Sequence, residues 1–97
     1  MVVYPNAKIN LGLNVLRKRI DNFHDISSVF YPLHVCFDVL EIIESDQFVF
    51  NMTGIDISDE DNLCVRAWKI LKEDFNIGNV HMHLHKKIPI GAGLGGG

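Results

Sequence analysis

Five glycines lie within seven residues at the end of the 97-residue chain, in the run Gly91-Ala92-Gly93-Leu94-Gly95-Gly96-Gly97. Glycine lets backbone N–H groups turn toward a ligand because it has no Cβ in the way. Successive N–H groups around a concavity bind anions, phosphate above all. The run follows a predicted strand and stops where a helix is expected to begin. We therefore expect a nucleotide-binding protein that is cut through its own site.

The same run has the Gly91-x-Gly93-x-x-Gly96 spacing of the dinucleotide-binding fingerprint. That fingerprint normally follows a buried parallel strand. Here the preceding strand is half polar, and Pro89 stands between strand and loop. The Gly-Lys-Ser/Thr ending of the common P-loop is also missing. A nicotinamide-dinucleotide-binding domain and a flexible glycine-rich tail stay open as alternatives on this evidence.

A lysine and an asparagine near the start of the chain form a second candidate. Apolar residues alternate with polar ones from position 7 to 15, and this period of two predicts a strand with one face in the core. Lys8 and Asn10 then share the polar face, about 7 Å apart. A lysine near a phosphate site neutralises charge on a transferred phosphoryl group, whereas elsewhere it is simply exposed. The spacing does not decide between these roles.

Three histidines, His81, His83 and His85, alternate with apolar residues on another predicted strand. Such a row could supply imidazole ligands to zinc. Same-face neighbours are about 7 Å apart, however, and no Cys, Asp or Glu is near in sequence. We expect a solvated strand face there. His34 has no partner in sequence and is given no role.

The composition excludes several classes of protein. A net charge of −3 argues against a nucleic-acid or anionic-membrane surface. No apolar run approaches the ~20 residues of a membrane span, and the amino terminus is unlike a signal peptide. The spacing of Cys36 and Cys64 fits neither a metal site nor a disulfide framework. We therefore interpret both as small apolar side chains, in a protein of a reducing compartment. A cytoplasmic location is the expectation.

The pattern of the chain predicts an α+β fold with a largely antiparallel or mixed sheet. Five strands are predicted, at residues 7–15, 26–35, 37–43, 47–53 and 80–85. Asp21 to Asp25 is predicted to be a turn, because its residue types favour turns.

One helix is predicted between the fourth and fifth strands. Ser58 or Asp59 is the expected cap, with Glu60 and Asp61 in the first turn, where the helix dipole favours anions. Apolar residues at three- and four-residue steps predict a buried stripe. The stripe consists of Leu63, Ala67, Ile70, Leu71 and Phe75. Gly78 and Asn79 are expected to end the helix.

Four segments together resemble one enzyme family, the 4-diphosphocytidyl-2-C-methyl-erythritol kinases of the GHMP kinase superfamily. Residues 5–13 resemble the PxAKINLxL opening of these kinases, and residues 21–24 resemble their DGYH turn. Residues 61–67 resemble their (E/D)NLxxRA helix start, and residues 86–97 their KxIPxGAGLGGG phosphate loop. The resemblance spans the chain in the right order and implies an α+β fold like domain 2 of ribosomal protein S5.

The resemblance also implies an activity, ATP-dependent phosphorylation of the 2-hydroxyl of 4-diphosphocytidyl-2-C-methyl-D-erythritol in the non-mevalonate route to isoprenoid precursors. It implies that Lys8 is the catalytic lysine, paired with an aspartate base, and that Asn10 lies beside it at the substrate. Phe23 and His24 would bind the cytidine end of the substrate.

For ATP, the resemblance implies that Asn62 and Lys86 lie near the adenine. The residues implied around the phosphates are Pro89, Ile90, Gly91, Ala92, Gly93, Leu94, Gly95, Gly96 and Gly97. Mg²⁺ would shield the phosphate oxygens. The expected partner is a small molecule with a cytidine diphosphate group, and the oligomeric state is open.

The chain departs from the family pattern in three respects. Phe23 replaces a tyrosine, so stacking on cytosine survives but a hydroxyl is lost. Asn22 replaces a glycine, and asparagine also accepts left-handed turns. The serines after the glycines, the helix that they open, the catalytic aspartate and the second domain do not occur in these 97 residues. We therefore expect residues 1–97 to be the amino-terminal part of the ATP-binding domain, to be inactive alone, and to leave part of the apolar sheet face uncovered.

Two other hypotheses are compatible with the same superfamily. One is another small-molecule kinase, such as mevalonate kinase. The other is a non-enzymatic module, because the superfamily shares its fold with an RNA-binding ribosomal domain; the acidic charge balance argues against it.

Overall fold

The structure is a computed structural model that describes residues 1–55 and 62–96. Six strands and a helix follow one another along the chain: β1 (Val2–Val3), β2 (Asn6–Lys18), β3 (His24–Phe37), β4 (Val39–Glu44), β5 (Val49–Gly54), α1 (Leu63–Asp74) and β6 (Val80–Lys86). The five predicted strands are confirmed, and the two-residue β1 is an addition. Within the described residues, no helix is both long enough and apolar enough to cross a membrane.

Two separate sheets organise the strands. The first has the order β1-β4-β6-β5, in which β5 runs parallel to β6 and the other pairs are antiparallel. The second is the β2–β3 hairpin. The mixed sheet and the helix confirm the predicted α+β class.

The core is centred on β6, the strand between β4 and β5. Met82 and Leu84 are buried, whereas the histidines that alternate with them are half-buried on the other face. The predicted alternation is therefore confirmed. Ile88, just beyond β6, is the largest fully buried side chain among the described residues. The core thus ends directly beneath the start of the glycine run.

The β2–β3 hairpin corrects the prediction that one face of the first long strand lies in the core. Only Ala7 of that face is buried, and Leu11, Leu13 and Val15 are at least half exposed. Gly12 adopts a positive φ of 73°, and the register shifts between Leu11 and Leu13. The bulge interrupts the alternation, and the hairpin pairs only with itself among the described residues, so no layer covers its apolar side chains.

The hairpin turn agrees with the predicted turn at Asp21 to Asp25, although β3 already begins at His24. Asn22 has a φ of 68°, the left-handed conformation that asparagine tolerates better than most residues. The N–H of Arg19 donates to the carbonyl of Phe23 and closes the turn. The replacement of the family's glycine by Asn22 therefore leaves the turn intact.

The ends of α1 differ from the prediction. Asn62 is the N-cap, and its side-chain Oδ1 accepts from the N–H of Cys64 at 2.9 Å. Ser58, Asp59, Glu60 and Asp61 lie outside the described residues, but a helix capped by Asn62 makes the predicted cap wrong. The helix ends at Asp74, because Phe75 has an extended backbone, so Gly78 and Asn79 do not end it.

The buried stripe predicted for α1 is also wrong. No residue of α1 is buried, and all five predicted members of the stripe are exposed. Leu63, Ile70, Leu71 and Phe75 have between 48% and 61% of their surface exposed. Trp68 instead stacks on Phe48, the residue directly before β5, with ring centroids 3.9 Å apart. Leu63, Ala67 and Leu71 line a groove beside the sheet, together with Trp68.

Candidate functional site

Lys8 lies against the glycine run, which we call the glycine loop and define as residues 89–96. Its Nζ is 3.3 Å from the carbonyl oxygen of Gly93 and 3.3 Å from Oδ1 of Asn10. Its backbone N–H donates to the carbonyl of Leu94 at 2.9 Å. The ammonium also lies 4.9 Å from the centroid of the Phe30 ring, a cation–π distance. The structure therefore brings together the two motifs that the sequence separates most widely.

The glycine loop has an alternating backbone conformation. Gly91, Gly93 and Gly95 have φ angles of 74°, 75° and 75°, whereas Ala92 and Leu94 do not have positive φ. Only glycine adopts this region readily, so the glycine spacing follows from the path of the chain. Alternating φ signs are typical of the nests in which backbone N–H groups surround an anion.

The loop's N–H groups are not used elsewhere in the described part of the chain. Among the hydrogen bonds of residues 1–55 and 62–96, none has a donor N–H from residues 90–96. The carbonyls of Gly93 and Leu94, in contrast, accept from Lys8. With respect to residues 1–55 and 62–96, the loop therefore has N–H donors available for phosphate oxygens.

Two glycines of the loop permit close packing. A Cβ on Gly96 would lie 2.6 Å from Cγ2 of Ile88 and 2.7 Å from the carbonyl oxygen of Pro89. A Cβ on Gly95 would lie 3.1 Å from Cγ of Lys8. The end of the loop therefore folds back onto its start and onto Lys8. Gly97 lies outside the described residues.

A cavity of about 490 Å³ adjoins the loop. Most of its wall is apolar, and a few polar groups converge on it, the usual composition of a small-molecule site. Its lining consists of Pro5, Asn6, Asp38, Leu40, Asn62, Leu63, Cys64, Leu84, Lys86, Ile88, Ile90, Gly95 and Gly96. Five predicted ATP-site residues are among them: Asn62, Lys86, Ile90, Gly95 and Gly96.

Asn62 is held at the cavity by its role as the N-cap of α1. Its Oδ1 accepts from Cys64, and its Nδ2 points toward the sulfur of Met52 at 3.8 Å. Cys64 also lines the cavity, and burial raises the pKa of its thiol. This agrees with the interpretation of Cys64 as a small apolar residue.

Lys86 lines the cavity, and its ammonium is bound within the protein. Its Nζ lies 2.6 Å from Oδ2 of Asp38, and both residues are buried, with 4% and 6% of their surface exposed. Oδ1 of Asp38 accepts from the N–H groups of Lys87 at 2.7 Å and Ile88 at 2.9 Å. The segment that leads into the loop is thus tied to Asp38, the residue between β3 and β4.

Two opposing effects act on the pKa of Asp38. Burial acts to raise it, because the charged form loses water. The hydrogen bonds from Lys86, Ile88 and Lys87, with the Lys86 charge, outweigh burial and lower the pKa below its usual value. Asp38 is therefore ionised and paired with Lys86.

The sequence reasoning missed Asp38. The signal available was a single acidic residue between two apolar, β-branched runs with no turn residue beside it. Aspartate is rarely buried unless it is paired, so such a residue calls for a cationic partner. The partner lies 48 residues away, and local pattern does not identify it.

Phe23 and His24 lie at the other end of the hairpin from Lys8. Lys8 pairs with Pro32 and Lys18 pairs with His24, so ten residues of β2 separate the two sites. That is at most about 33 Å along an extended strand. Phe23 is largely exposed at the tip. The structure does not bring these residues into contact with Lys8.

The histidine row makes hydrogen bonds to β5. His81 pairs with Asn51 at 2.9 Å, and the Thr53 hydroxyl lies 3.0 Å from His83 and 2.9 Å from His85. Across the described ranges no three His, Cys, Asp or Glu side chains are arranged to hold a metal ion. The rings are half-buried rather than fully solvated, so the predicted solvated face is correct only in part.

Comparison with known proteins bears on this geometry. Residues 62–97 match the family model described as the GHMP kinases N terminal domain. The whole chain is 52% identical to a protein of Cytophaga hutchinsonii and 48% identical to one of Azobacteroides pseudotrichonymphae, both named 4-diphosphocytidyl-2-C-methyl-D-erythritol kinase. Along its whole length the chain is similar to these kinases. The resemblance that the four motifs carry is therefore confirmed.

A solved structure of a 4-(cytidine 5'-diphospho)-2C-methyl-D-erythritol kinase has the same fold, with a TM-score of 0.75 and 34% identity over 99% of this chain. The chain spans 36% and 37% of the lengths of the two kinases named above and 35% of the solved kinase. The glycine loop and Asn62 lie in the part that the GHMP kinase model covers, and Lys8 and the hairpin precede that part.

Proposed function

We propose that the protein containing this segment is an ATP-dependent kinase that phosphorylates the 2-hydroxyl of 4-diphosphocytidyl-2-C-methyl-D-erythritol. The contact between Lys8 and the glycine loop carries the proposal. The names of the relatives support the choice of substrate. On this proposal residues 1–97 are the amino-terminal part of the ATP-binding domain and end inside the phosphate loop.

Lys8 supplies positive charge where phosphate lies. Phosphoryl transfer depends mainly on positioning and on stabilising charge that spreads over the transferred group. Asn10 and the carbonyl of Gly93 each lie 3.3 Å from the ammonium, and Phe30 lies beneath it. These contacts fix the ammonium at the rim of the loop, so it acts on the phosphoryl group without moving first.

ATP occupies the loop and the adjoining cavity. The apolar walls accept the adenine next to Asn62 and the stem of Lys86. The N–H groups of the glycine loop, including those of Gly91, Ala92, Gly93 and Leu94, surround the phosphates. Mg²⁺ arrives with the nucleotide, because it is held mainly by substrate phosphates and water. Pro89 fixes the backbone where the strand passes into the loop.

The cytidine end of the substrate binds at the hairpin tip, where the Phe23 ring stacks on cytosine and His24 supplies a polar contact. The register of the hairpin shifts at three places, between residues 6 and 7, 11 and 13, and 15 and 17. Bulges bend a two-stranded sheet, and the proposal requires a bend that brings the tip closer to Lys8. A cytoplasmic location remains a prediction from the sequence.

The test uses the full-length protein that contains this segment. ADP release is measured with ATP and, in turn, the cytidine-bearing alcohol and mevalonate, and the product is examined by phosphorus NMR to locate the new phosphate. Turnover of the cytidine-bearing alcohol alone, with phosphate on the 2-hydroxyl, is the expected result. Turnover of mevalonate but not of the cytidine-bearing alcohol contradicts the proposal. No specific observation favours the dinucleotide-binding or RNA-binding alternatives.

A further inference from the structure

Asp38 is a buried carboxylate that belongs to none of the four family-like motifs. It lies between β3 and β4 and accepts three hydrogen bonds, from Nζ of Lys86 and from the N–H groups of Lys87 and Ile88. All three donors come from the segment that leads into the glycine loop. A carboxylate accepting from two consecutive backbone N–H groups determines which way both peptide planes face.

The same residue is tied to the segment that carries Lys8. Its backbone N–H donates to the carbonyl of Pro5 at 2.9 Å, and Pro5 directly precedes β2. Asp38 therefore holds both halves of the candidate site, the start of the loop on one side and the start of the lysine-bearing strand on the other. These halves meet where the backbone of Lys8 donates to Leu94.

The end of β6 is fixed from its other edge as well. The N–H of Ile55 donates to the carbonyl of Lys86 at 3.0 Å, and a Cβ on Gly54 would lie only 2.2 Å from that oxygen. Ile88 is 1% exposed, and Gly96 packs on it. Asp38 therefore fixes the position of Ile88, and Ile88 in turn fixes the position of the far end of the loop.

We propose that Asp38 is a positioning residue for nucleotide binding, an inference that rests on the proposed function. It touches no substrate. It orients the peptide planes at Lys87 and Ile88, holds the Lys86 ammonium out of the phosphate site, and so forms the loop before nucleotide arrives. A site formed in advance binds more tightly because less ordering is left to the binding step.

The test separates hydrogen bonding from charge. The double variant Asp38→Asn/Lys86→Met has no buried charge but keeps an oxygen that accepts from Lys87 and Ile88. Asp38→Ala/Lys86→Met is equally uncharged and has no acceptor. In the full-length enzyme we expect the KM for ATP to be about tenfold or more higher in the Ala variant than in the Asn variant, which carries the same Lys86→Met change. The KM for the alcohol and kcat change less, and the exposed Asp74→Asn is the control.

A second readout does not depend on activity. Amide hydrogen exchange of Lys87 and Ile88 is slow in wild type and in the Asn variant and fast in the Ala variant, if Asp38 anchors these groups. Equal KM values for ATP and equal exchange in the two double variants overturn the inference. If the Ala variant does not fold, the test is the rate of amide exchange in the Asn variant compared with wild type. Fast exchange of these amides in the Asn variant then overturns the inference. A wild-type enzyme without ATP-dependent turnover defeats the proposed function alone, because the exchange experiment still tests Asp38.

Discussion

The backbone N–H of Lys8 donates to the carbonyl of Leu94, while the Lys8 ammonium reaches the carbonyl of the preceding residue, Gly93. The strand and the loop are therefore joined by both the main chain and the side chain of one lysine. The carbonyls of Gly93 and Leu94 are thus bound by Lys8, and within the described residues no N–H group of residues 90–96 donates a hydrogen bond. The following predictions concern the full-length protein that contains this segment.

Replacing Lys8 by methionine keeps the length of the side chain and removes its charge. We expect kcat to fall on the order of a hundredfold or more, because stabilisation of the transferred phosphoryl group is lost. The KM for ATP changes less, since the loop's N–H groups remain. Steady-state kinetics measure both values. Lys69→Met, at an exposed position on α1, is the matched control, and an equal loss in that variant contradicts the role given to Lys8.

Gly96→Ala places a methyl group 2.6 Å from Cγ2 of Ile88 and close to the Pro89 carbonyl. The loop must open to relieve this contact, so we expect ATP binding to weaken at least tenfold. Calorimetry with a non-hydrolysable ATP analogue measures the change. Gly78→Ala is the matched control, because a Cβ there has nothing within 4 Å and the φ of Gly78 is not positive. Unchanged affinity in Gly96→Ala refutes the packing described for the end of the loop.

Breaking the buried pair by Asp38→Ala leaves the Lys86 ammonium uncompensated in the interior. The expected loss is about 3–5 kcal/mol in the free energy of unfolding. Removing both charges, as in Asp38→Asn/Lys86→Met, costs much less. Urea unfolding of the two variants and wild type at neutral pH measures the difference. A loss in the single variant no larger than in the double one argues against the pair.

The same pair gives stability a defined pH dependence. The pKa of Asp38 is lower in the folded protein than its ordinary value of 3.8. The stability that it contributes is therefore fully present above the unfolded-state pKa of about 3.9 and is lost as the pH falls through the lower folded pKa. Urea unfolding from pH 6 downward should show a steeper acid-side loss in wild type than in Asp38→Asn/Lys86→Met. Parallel curves contradict the pKa shift.

Phe23→Tyr restores the hydroxyl that the family pattern has in the hairpin turn, whereas Phe23→Ala removes the ring. We expect the KM for the cytidine-bearing alcohol to rise about tenfold in the alanine variant, because base–aromatic stacking contributes about 1–3 kcal/mol. The tyrosine variant keeps the ring and stays near wild type. The KM for ATP is the internal control. A rise in the KM for ATP, without a rise in the KM for the cytidine-bearing alcohol, would contradict the assignment of Phe23 to the cytidine end of the substrate.

Local patterns in the sequence predicted the parts of the site that are local in origin. The spacing of the glycines follows from the φ angles at Gly91, Gly93 and Gly95, and the alternation along β6 follows from burial of Met82 and Leu84. Both are properties of a few consecutive residues. The turn at Asn22 belongs to the same class, because its left-handed backbone is set within four residues.

What the sequence did not predict depends on contacts between distant segments. Asp38 pairs with Lys86 across 48 residues, and Trp68 of α1 stacks on Phe48, which lies before β5. The exposure of Leu11 depends on whether another layer of structure covers the hairpin. The apolar–polar alternation along β2 gives no information on that point. The predicted start of the helix was wrong for a simpler reason. Asparagine is as good an N-cap as serine or aspartate, so residue type alone does not choose Asn62 over the serine and aspartate that precede it.

The most direct measurement is a crystal structure of the full-length protein with a non-hydrolysable ATP analogue. We predict that the phosphates lie on the N–H groups of the glycine loop, with Nζ of Lys8 within about 3 Å of a phosphate oxygen. We also predict that the adenine lies in the cavity beside Asn62. Phosphates bound elsewhere, or a Lys8 ammonium directed away from them, would contradict the proposed site.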